Sequence, residues 1–244
     1  MKQYSYDLHI HSCLSPCSDA LMTPPNIVNM AHSNGLDIIA ITDHNSTRNV
    51  GAVMRAAKGL PLTVIPGIEV TTAEEIDVVC LFPDLDSAEK AGRELEKHLP
   101  QIPNHSGHFG KQIVIDETET VTDVFPNLLL NALDISIDDL PKFIESHGGI
   151  CYPAHIDKPT HSILSVFGCL PDTLGFSALE VRNREKFFSS EINDHFRQKH
   201  VIITSSGAHK LSDISEKKNF IDLAEPTFGA LKEALLSNRK PSSC

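Results

Sequence analysis

Long apolar runs, a surplus of basic residues, a second cysteine pair and internal repeats are all missing from this chain, and each absence narrows what it can be. No stretch approaches the roughly 20 apolar residues of a membrane-spanning helix. Met1-Lys2-Gln3-Tyr4-Ser5-Tyr6 runs into a strand pattern without a charged-then-apolar signal segment. Lys and Arg number 21 against 32 Asp and Glu, a net charge of −11 with histidine neutral. That balance argues against the broad basic face of a sequence-independent nucleic-acid binder. A short nucleotide fragment held by metals is compatible with it, and bound divalent cations would offset part of the acidic excess. The six cysteines, Cys13, Cys17, Cys80, Cys151, Cys169 and Cys244, are scattered. Without a secretory signal they read as reduced thiols of a cytoplasmic protein. Cys13 and Cys17 have zinc-like spacing but no partner pair, so packing or loop-shaping is their expected role. No repeat, low-complexity segment or linker divides the 244 residues, and 41% hydrophobic content is enough for one core. The expectation is one domain over residues 1–237 and a flexible tail over 238–244.

What the chain does have is histidine at the ends of apolar runs. The first run ends in Asp7-Leu8-His9-Ile10-His11. Alternate residues of a strand share a face, so His9 and His11 stand side by side with Asp7 behind them. Two neutral imidazoles at that spacing form half of a divalent-metal site. Further runs lead to Asp43-His44, through Pro66-Gly67 to Glu69, to His155, and through Ser205-Ser206-Gly207-Ala208 to His209. Four to six apolar residues bounded by Gly, Pro and Asn signals read as buried parallel strands. Ligands of parallel α/β folds bind beyond the carboxyl ends of the strands. One such residue has an ordinary explanation in packing. Five strand ends each carrying a His or Glu point to a metal centre.

Between these runs the pattern alternates strand and helix. Thr23-Pro24-Pro25 opens a helix to about Ser33, ended by Asn34-Gly35. Further helices are expected from Ser46 or Thr47 to about Lys58, from Ser87 to about His98, from Ser136 to Gly148, from Ser189 to Lys199 and from Thr227 to Leu236. Short strands are expected over residues 75–82, 112–115, 179–181 and 220–223. The stretch from Pro100 to Glu119 is irregular, as lids and specificity loops are.

Asp7-x-His9-x-His11, Thr42-Asp43-His44-Asn45, Pro66-Gly67-Ile68-Glu69, Pro153-Ala154-His155 and Ser-Gly-Ala-His209, in this order, resemble the motifs of the polymerase and histidinol phosphatase (PHP) superfamily. The resemblance implies an α/β fold, a distorted (β/α)7 barrel, with two or three divalent metals (zinc, manganese or iron) at the strand ends. The implied activity is hydrolysis of a phosphate mono- or diester, on a small phosphorylated metabolite or a nucleotide end. Carried over position by position, His9, His11 and Glu69 hold one metal, Asp19, His44 and His209 a second, and Glu69 with His155 a third. His108 is the candidate for the remaining third-metal ligand, with His105, Gln112 and Asp116 behind it. Asp43 is assigned to orienting a ligand imidazole or a water, with capping of the following turn as the alternative. Of the cations after ligand motifs, Arg48, Lys158, Arg182, Arg184 and Lys210, Arg182 is the choice for gripping phosphate. The others have solvent-facing roles open to them.

Two departures favour a different reading. Where the superfamily usually has the Asp of Ser-Asp-Ala-His, this chain has Gly207, which coordinates nothing. Where it commonly has a histidine after the Glu69 strand, this chain has Asp77. A non-catalytic or weakly active metal-binding module is therefore the second hypothesis, and a metal-dependent amide or C–N hydrolase the third.

Overall fold

The apolar runs become strands whose ligand-bearing ends share one rim. The computed structural model describes residues 1–237. Its strands are β1 (Lys2–Ile10), β2 (Ile38–Ile41), β3 (Thr63–Thr71), β4 (Asp77–Leu81), β5 (Ile113–Ile115), β6 (Val121–Val124), β7 (Ile150–Pro153), β8 (Ala178–Glu180), β9 (Val201–Ile203) and β10 (Phe220–Leu223). β1, β2 and β3 pair in parallel, β4 returns antiparallel to β3, and β7 pairs antiparallel to β4. Two reversals leave β7 running in the same direction as β3. β8 and β9 pair in parallel, and the chain beyond β9 lies parallel to β1 through the Ile10–Ala208 bridge.

A few backbone hydrogen bonds curl these strands into a ring. The Ile156 N–H donates to the Glu180 carbonyl at 2.8 Å, joining the ends of β7 and β8. The His11 N–H donates to Ala208 O at 3.0 Å, and the Ala208 N–H to His9 O at 3.3 Å. The circuit β1-β2-β3-β4-β7-β8-β9 is the distorted seven-stranded barrel expected from the sequence. β10 lies outside it, antiparallel to the first half of β1.

Burial explains why these segments are strands. Ile39 and Ile41 pack with Ile27, Val28, Val50 and Val53 of the first two helices, Pro24–Ser33 and Val50–Ala56. Tyr6, Leu8, Ile38 and Ala40 join the closing helix Phe228–Leu236 through Phe228, Leu231 and Leu235. Fully burying each large aliphatic side chain is worth about 1.5–3 kcal/mol. A third cluster packs Ile68, Val70, Val78 and Cys80 against the helices Leu85–Leu95 and Leu140–Ser146. Among the described residues, no helix is long and apolar enough to cross a membrane.

β3 runs through Pro66-Gly67 as read from the sequence, and a glycine there lets β2 and β4 close in on both sides. Several expectations change. The second helix begins at Val50 rather than Ser46 or Thr47. Asn45 and Asn49 instead use their side-chain amides to bind Leu129 O and Asn131 O, and Ile113 O, respectively. The helix expected over Ser189–Lys199 is a 3-10 turn, Glu191–Asn193, followed by Asp194–Lys199. The short helices Ile163–Phe167 and Arg184–Phe187 span too few residues for a helical period to show in sequence. The irregular stretch holds a single helical turn, Ser106–Phe109, and β5, which pairs with β6 just beyond it. The tail expected over 238–244 lies outside the described residues.

An ideal Cβ at Gly67 would stand 2.9 Å from Thr42 Cγ2 and 3.0 Å from both Ile41 O and Cys80 O. Two of those neighbours are backbone and cannot rotate away. Gly67→Ala is expected to cost about 1–3 kcal/mol. A urea titration reads this as a lower midpoint with unchanged slope.

Candidate metal centre

Every strand that ends at the rim brings a donor to one cavity of about 250 Å³. Glu69, on β3 and 1% exposed, is at its middle. One carboxylate oxygen lies 3.1 Å from His9 Nε2 and 3.2 Å from His155 Nε2. The other lies 3.3 Å from His11 Nε2 and 3.1 Å from His44 Nδ1. Asp77 Oδ2 is 3.5 Å from His155 Nε2. Three sets of donor atoms converge, each within 4.8 Å of one another: His9, His11 and Glu69; His11, His44 and His209; and Glu69, Asp77 and His155.

The outer hydrogen bonds orient the rings. His9 Nδ1 is 2.9 Å from Glu180 Oε2, so this edge carries the proton and donates to the carboxylate. The Ser15 hydroxyl donates to Asp43 at 2.7 Å, which leaves its oxygen to accept from His11 Nδ1 at 3.1 Å. Both rings therefore direct Nε2 inward, and the two nitrogens are 3.2 Å apart beside the Glu69 oxygens. Lone pairs converging in this way repel unless something positive sits among them. Ligand bonds of about 2.0–2.1 Å in tetrahedral geometry separate donors by about 3.3–3.4 Å, close to the spacing found. Nδ1 of His44 and of His209 are buried without a hydrogen-bond partner, although His44 approaches Glu69 closely. An orphaned buried nitrogen is costly, and a shared cation removes that cost. The donor set fits divalent metals.

The charges agree with that fit. Burial, with the neighbouring His44, holds His11 well below the usual histidine range. Burial likewise lowers His44 to about 4. Glu69 stays well below the usual carboxylate range although burial opposes it, because His9 and His44 face it. His11, His44 and Glu69 are thus in their ligating forms at neutral pH. His9 is the exception: burial opposes its charge, but Glu180 and Glu69 hold it well above the usual value. Burial and the nearby Glu69 push Asp77 up to about 6.

Of the residues chosen from sequence, His9, His11, His44, Glu69, His155 and His209 are brought together. Arg182 lines the cavity with Lys158. Its N–H, and that of Asn183, donate to the Asp157 carboxylate at 2.8 Å each, tying this strand end to the loop after His155. Asp43 lies behind the cavity, fully buried, where it accepts from Ser12 N–H at 2.7 Å, Ser12 Oγ at 2.6 Å and Ser15. Two residues are not brought in. Asp19 is exposed, and its carboxylate accepts the Leu21 N–H at 2.9 Å in a turn. His108 is exposed on the Ser106–Phe109 turn with its ring against Phe109. Gln112 is buried away from the cavity, bonded to Phe125 O, Asn127 O and the Leu129 N–H. Arg48 pairs with Glu96 and Asp123 on the surface.

Asp77 takes the place that His108 was expected to fill. Because β4 runs backwards, its first residue, not its last, lies at the ligand rim, opposite Thr71. Glu180, which sequence reasoning overlooked, lines the same cavity at the end of β8. The available signal was an acid inside the apolar triplet Leu179-Glu180-Val181. Gly207 also lines the cavity, with φ +56° and open space where a Cβ would stand.

Residues 7–166 match the PHP domain profile. This chain belongs to the PHP domain family. It is 37% identical over 94 residues to the 5′-3′ exoribonuclease Rnm of Salmonella typhimurium, a match covering 36% of this chain and 30% of that protein. A stretch of 109 residues is 29% identical to the uncharacterised protein MJ1587 of Methanocaldococcus jannaschii, covering 41% of this chain and 62% of that one. The exoribonuclease matches take in less than a third of those relatives' length. In fold, the chain is similar to the lesion-specific endonuclease PfuEndoQ of Pyrococcus furiosus, at a TM-score of 0.67 and 17% identity over 97% of this chain and 56% of that one. It is also similar to an amidohydrolase from Chromobacterium violaceum, at a TM-score of 0.57 and 16% identity over 91% and 93% of the two chains.

Chelation is expected to lower Tm, and manganese or zinc to restore it, since a ligand that binds only the folded state stabilises it. His44→Ala should lower the metal content found by elemental analysis, while Asp19→Ala and His108→Ala should leave it unchanged. Because His9 holds its proton in the metal-free protein, zinc binding at pH 7 should release protons. Calorimetry in buffers of different ionisation enthalpy measures that release directly.

Proposed function

We propose that residues 1–237 form a metal-dependent phosphoesterase acting on a phosphorylated nucleotide or nucleic-acid end, with water as the nucleophile. The observation that carries this reading is the Glu69 carboxylate, whose two oxygens face four imidazoles in pairs, in a cavity that Lys158 and Arg182 also line. Divalent cations, when bound, acidify a water and neutralise phosphate charge. The side chains do the rest. His9, His11, His44, Glu69, Asp77, His155 and His209 would hold the cations. Arg182 and Lys158 grip the non-reacting phosphate oxygens and set the ester bond in line, which is most of what phosphoryl transfer requires.

The substrate class follows from size and charge. A cavity of about 250 Å³ is smaller than most drug-sized sites, and it suits one phosphorylated end rather than a long polymer. The net charge of −11 gives no wide polyanion-binding surface. Similarity to proteins named 5′-3′ exoribonuclease supports the nucleotide side of this choice. Amide hydrolysis suits the site less, because a neutral amide has no use for the two cationic side chains, Lys158 and Arg182, that line it. The cytoplasm is the proposed location, where Cys13, Cys17, Cys80, Cys151 and Cys169 remain free thiols, as they are in the fold.

Manganese-loaded protein is expected to hydrolyse an aryl phosphate and a 5′-phosphorylated oligonucleotide. His9→Ala should abolish both activities. Arg182→Ala should lower kcat/KM about tenfold to a hundredfold, the loss of one charge-assisted contact of about 1.5–3 kcal/mol. Gly207 favours a second reading, a metal-binding module with little activity. Metal-loaded, folded protein that cleaves nothing in a phosphoester panel would establish that reading instead.

A further inference from the structure

Glu180 is a buried acid that the three converging donor sets do not use. It is 1% exposed. Its carboxylate oxygens lie 2.9 and 3.2 Å from His9 Nδ1. Nδ1 and Nε2 are on opposite edges of an imidazole, and His9 Nε2 faces Glu69 and His11. Glu180 therefore stands behind the ring, away from the point where the donors meet. Its main chain is anchored as well: its carbonyl accepts the Ile156 N–H at 2.8 Å, one residue past His155. One residue thus braces two of the strand ends that carry donors.

We propose that Glu180 is a positioning residue of the metal centre. It accepts the Nδ1–H of His9, locks that ring with Nε2 aimed at the cation, and supplies from β8 the negative charge that Gly207 does not supply from the segment after β9. The proposal rests on the metal-centre reading. A carboxylate on the far nitrogen fixes a ligand histidine's tautomer and raises its basicity, and its loss typically weakens metal affinity by about tenfold to a hundredfold. A buried carboxyl group needs a hydrogen-bond partner, and among the described residues the His9 ring edge is the one its oxygens meet. At Gly207 an added Cβ would meet nothing within 4 Å. No side chain there competes for the cation, so the charge behind His9 carries more of the burden.

Cobalt(II) titration of metal-free protein, followed by visible absorption and elemental analysis, tests this on the full chain. Wild type should bind cobalt with d–d bands. Glu180→Gln keeps the shape and removes the charge. It should keep the far-UV circular dichroism, shift the bands and weaken the tightest cobalt site about tenfold or more. A folded Glu180→Gln protein with wild-type affinity and bands overturns the proposal. Wild-type protein that binds no cobalt overturns the metal-centre reading itself, a separate result. Nitrogen-15 NMR of histidine in zinc-loaded wild type needs no variant. The expected signature is a protonated, hydrogen-bonded Nδ1 and a metal-shifted Nε2 on His9, and ligation through Nδ1 would refute the role given to Glu180.

Discussion

Glu69 holds a negative charge where desolvation alone would forbid it, and the rest of the rim is arranged around that fact. A carboxylate that is 1% exposed must be neutralised by something within contact distance. Here four imidazoles surround it, each at 3.1–3.3 Å. Neutral imidazoles are themselves electron-rich at the atoms that face inward. The cluster is therefore in balance only when positive charge is shared among its members, as protons on His9 or as cations between the donor sets.

Holding like electron pairs together takes a rigid frame, and the frame lies one layer out. Asp43 grips Ser12 and Ser15, and Ser15 grips His11. Asp7, directly before the ligand pair, accepts the N–H groups of Ser206 and Ser215, at 3.0 and 2.9 Å, which fixes the segment carrying His209. Asp157 fixes the start of the segment after Glu180. Each of these acids bonds main-chain N–H groups of another segment, so the barrel rim is laced by side chains where the strand ladder has gaps.

The reversed strand explains the composition of the site. With β4 antiparallel, the turn between β3 and β4 stands at the ligand rim and brings Asp77 level with Thr71. The Thr71 hydroxyl donates to Asp77 at 2.6 Å, steadying the carboxylate beside His155. An all-parallel barrel would have placed the start of that strand at the far end. An oxygen of Asp77 thus stands beside Glu69 and His155 at this place, and a metal held there would meet a donor that suits manganese or magnesium as well as zinc.

How much of this was legible beforehand depends on distance along the chain. His9, His11, His44, Glu69, His155 and His209 are readable because each stands at or just past the end of an apolar run, and local alternation plus parallel strand direction is enough to aim them. Asp19 and His108 follow from their place in the order of the resembling motifs, which says nothing of where a side chain points; one caps a turn and the other sits on an exposed helical turn. Asp77, Glu180 and Ser15 act through contacts that depend on strand reversal and on closure between β8 and β1. The sequence by itself determined the strands and their ligand-bearing ends, because those follow from local pattern. Only the tertiary structure decided which acids meet which imidazoles, because burial and pairing of charge are set by segments far apart in the chain.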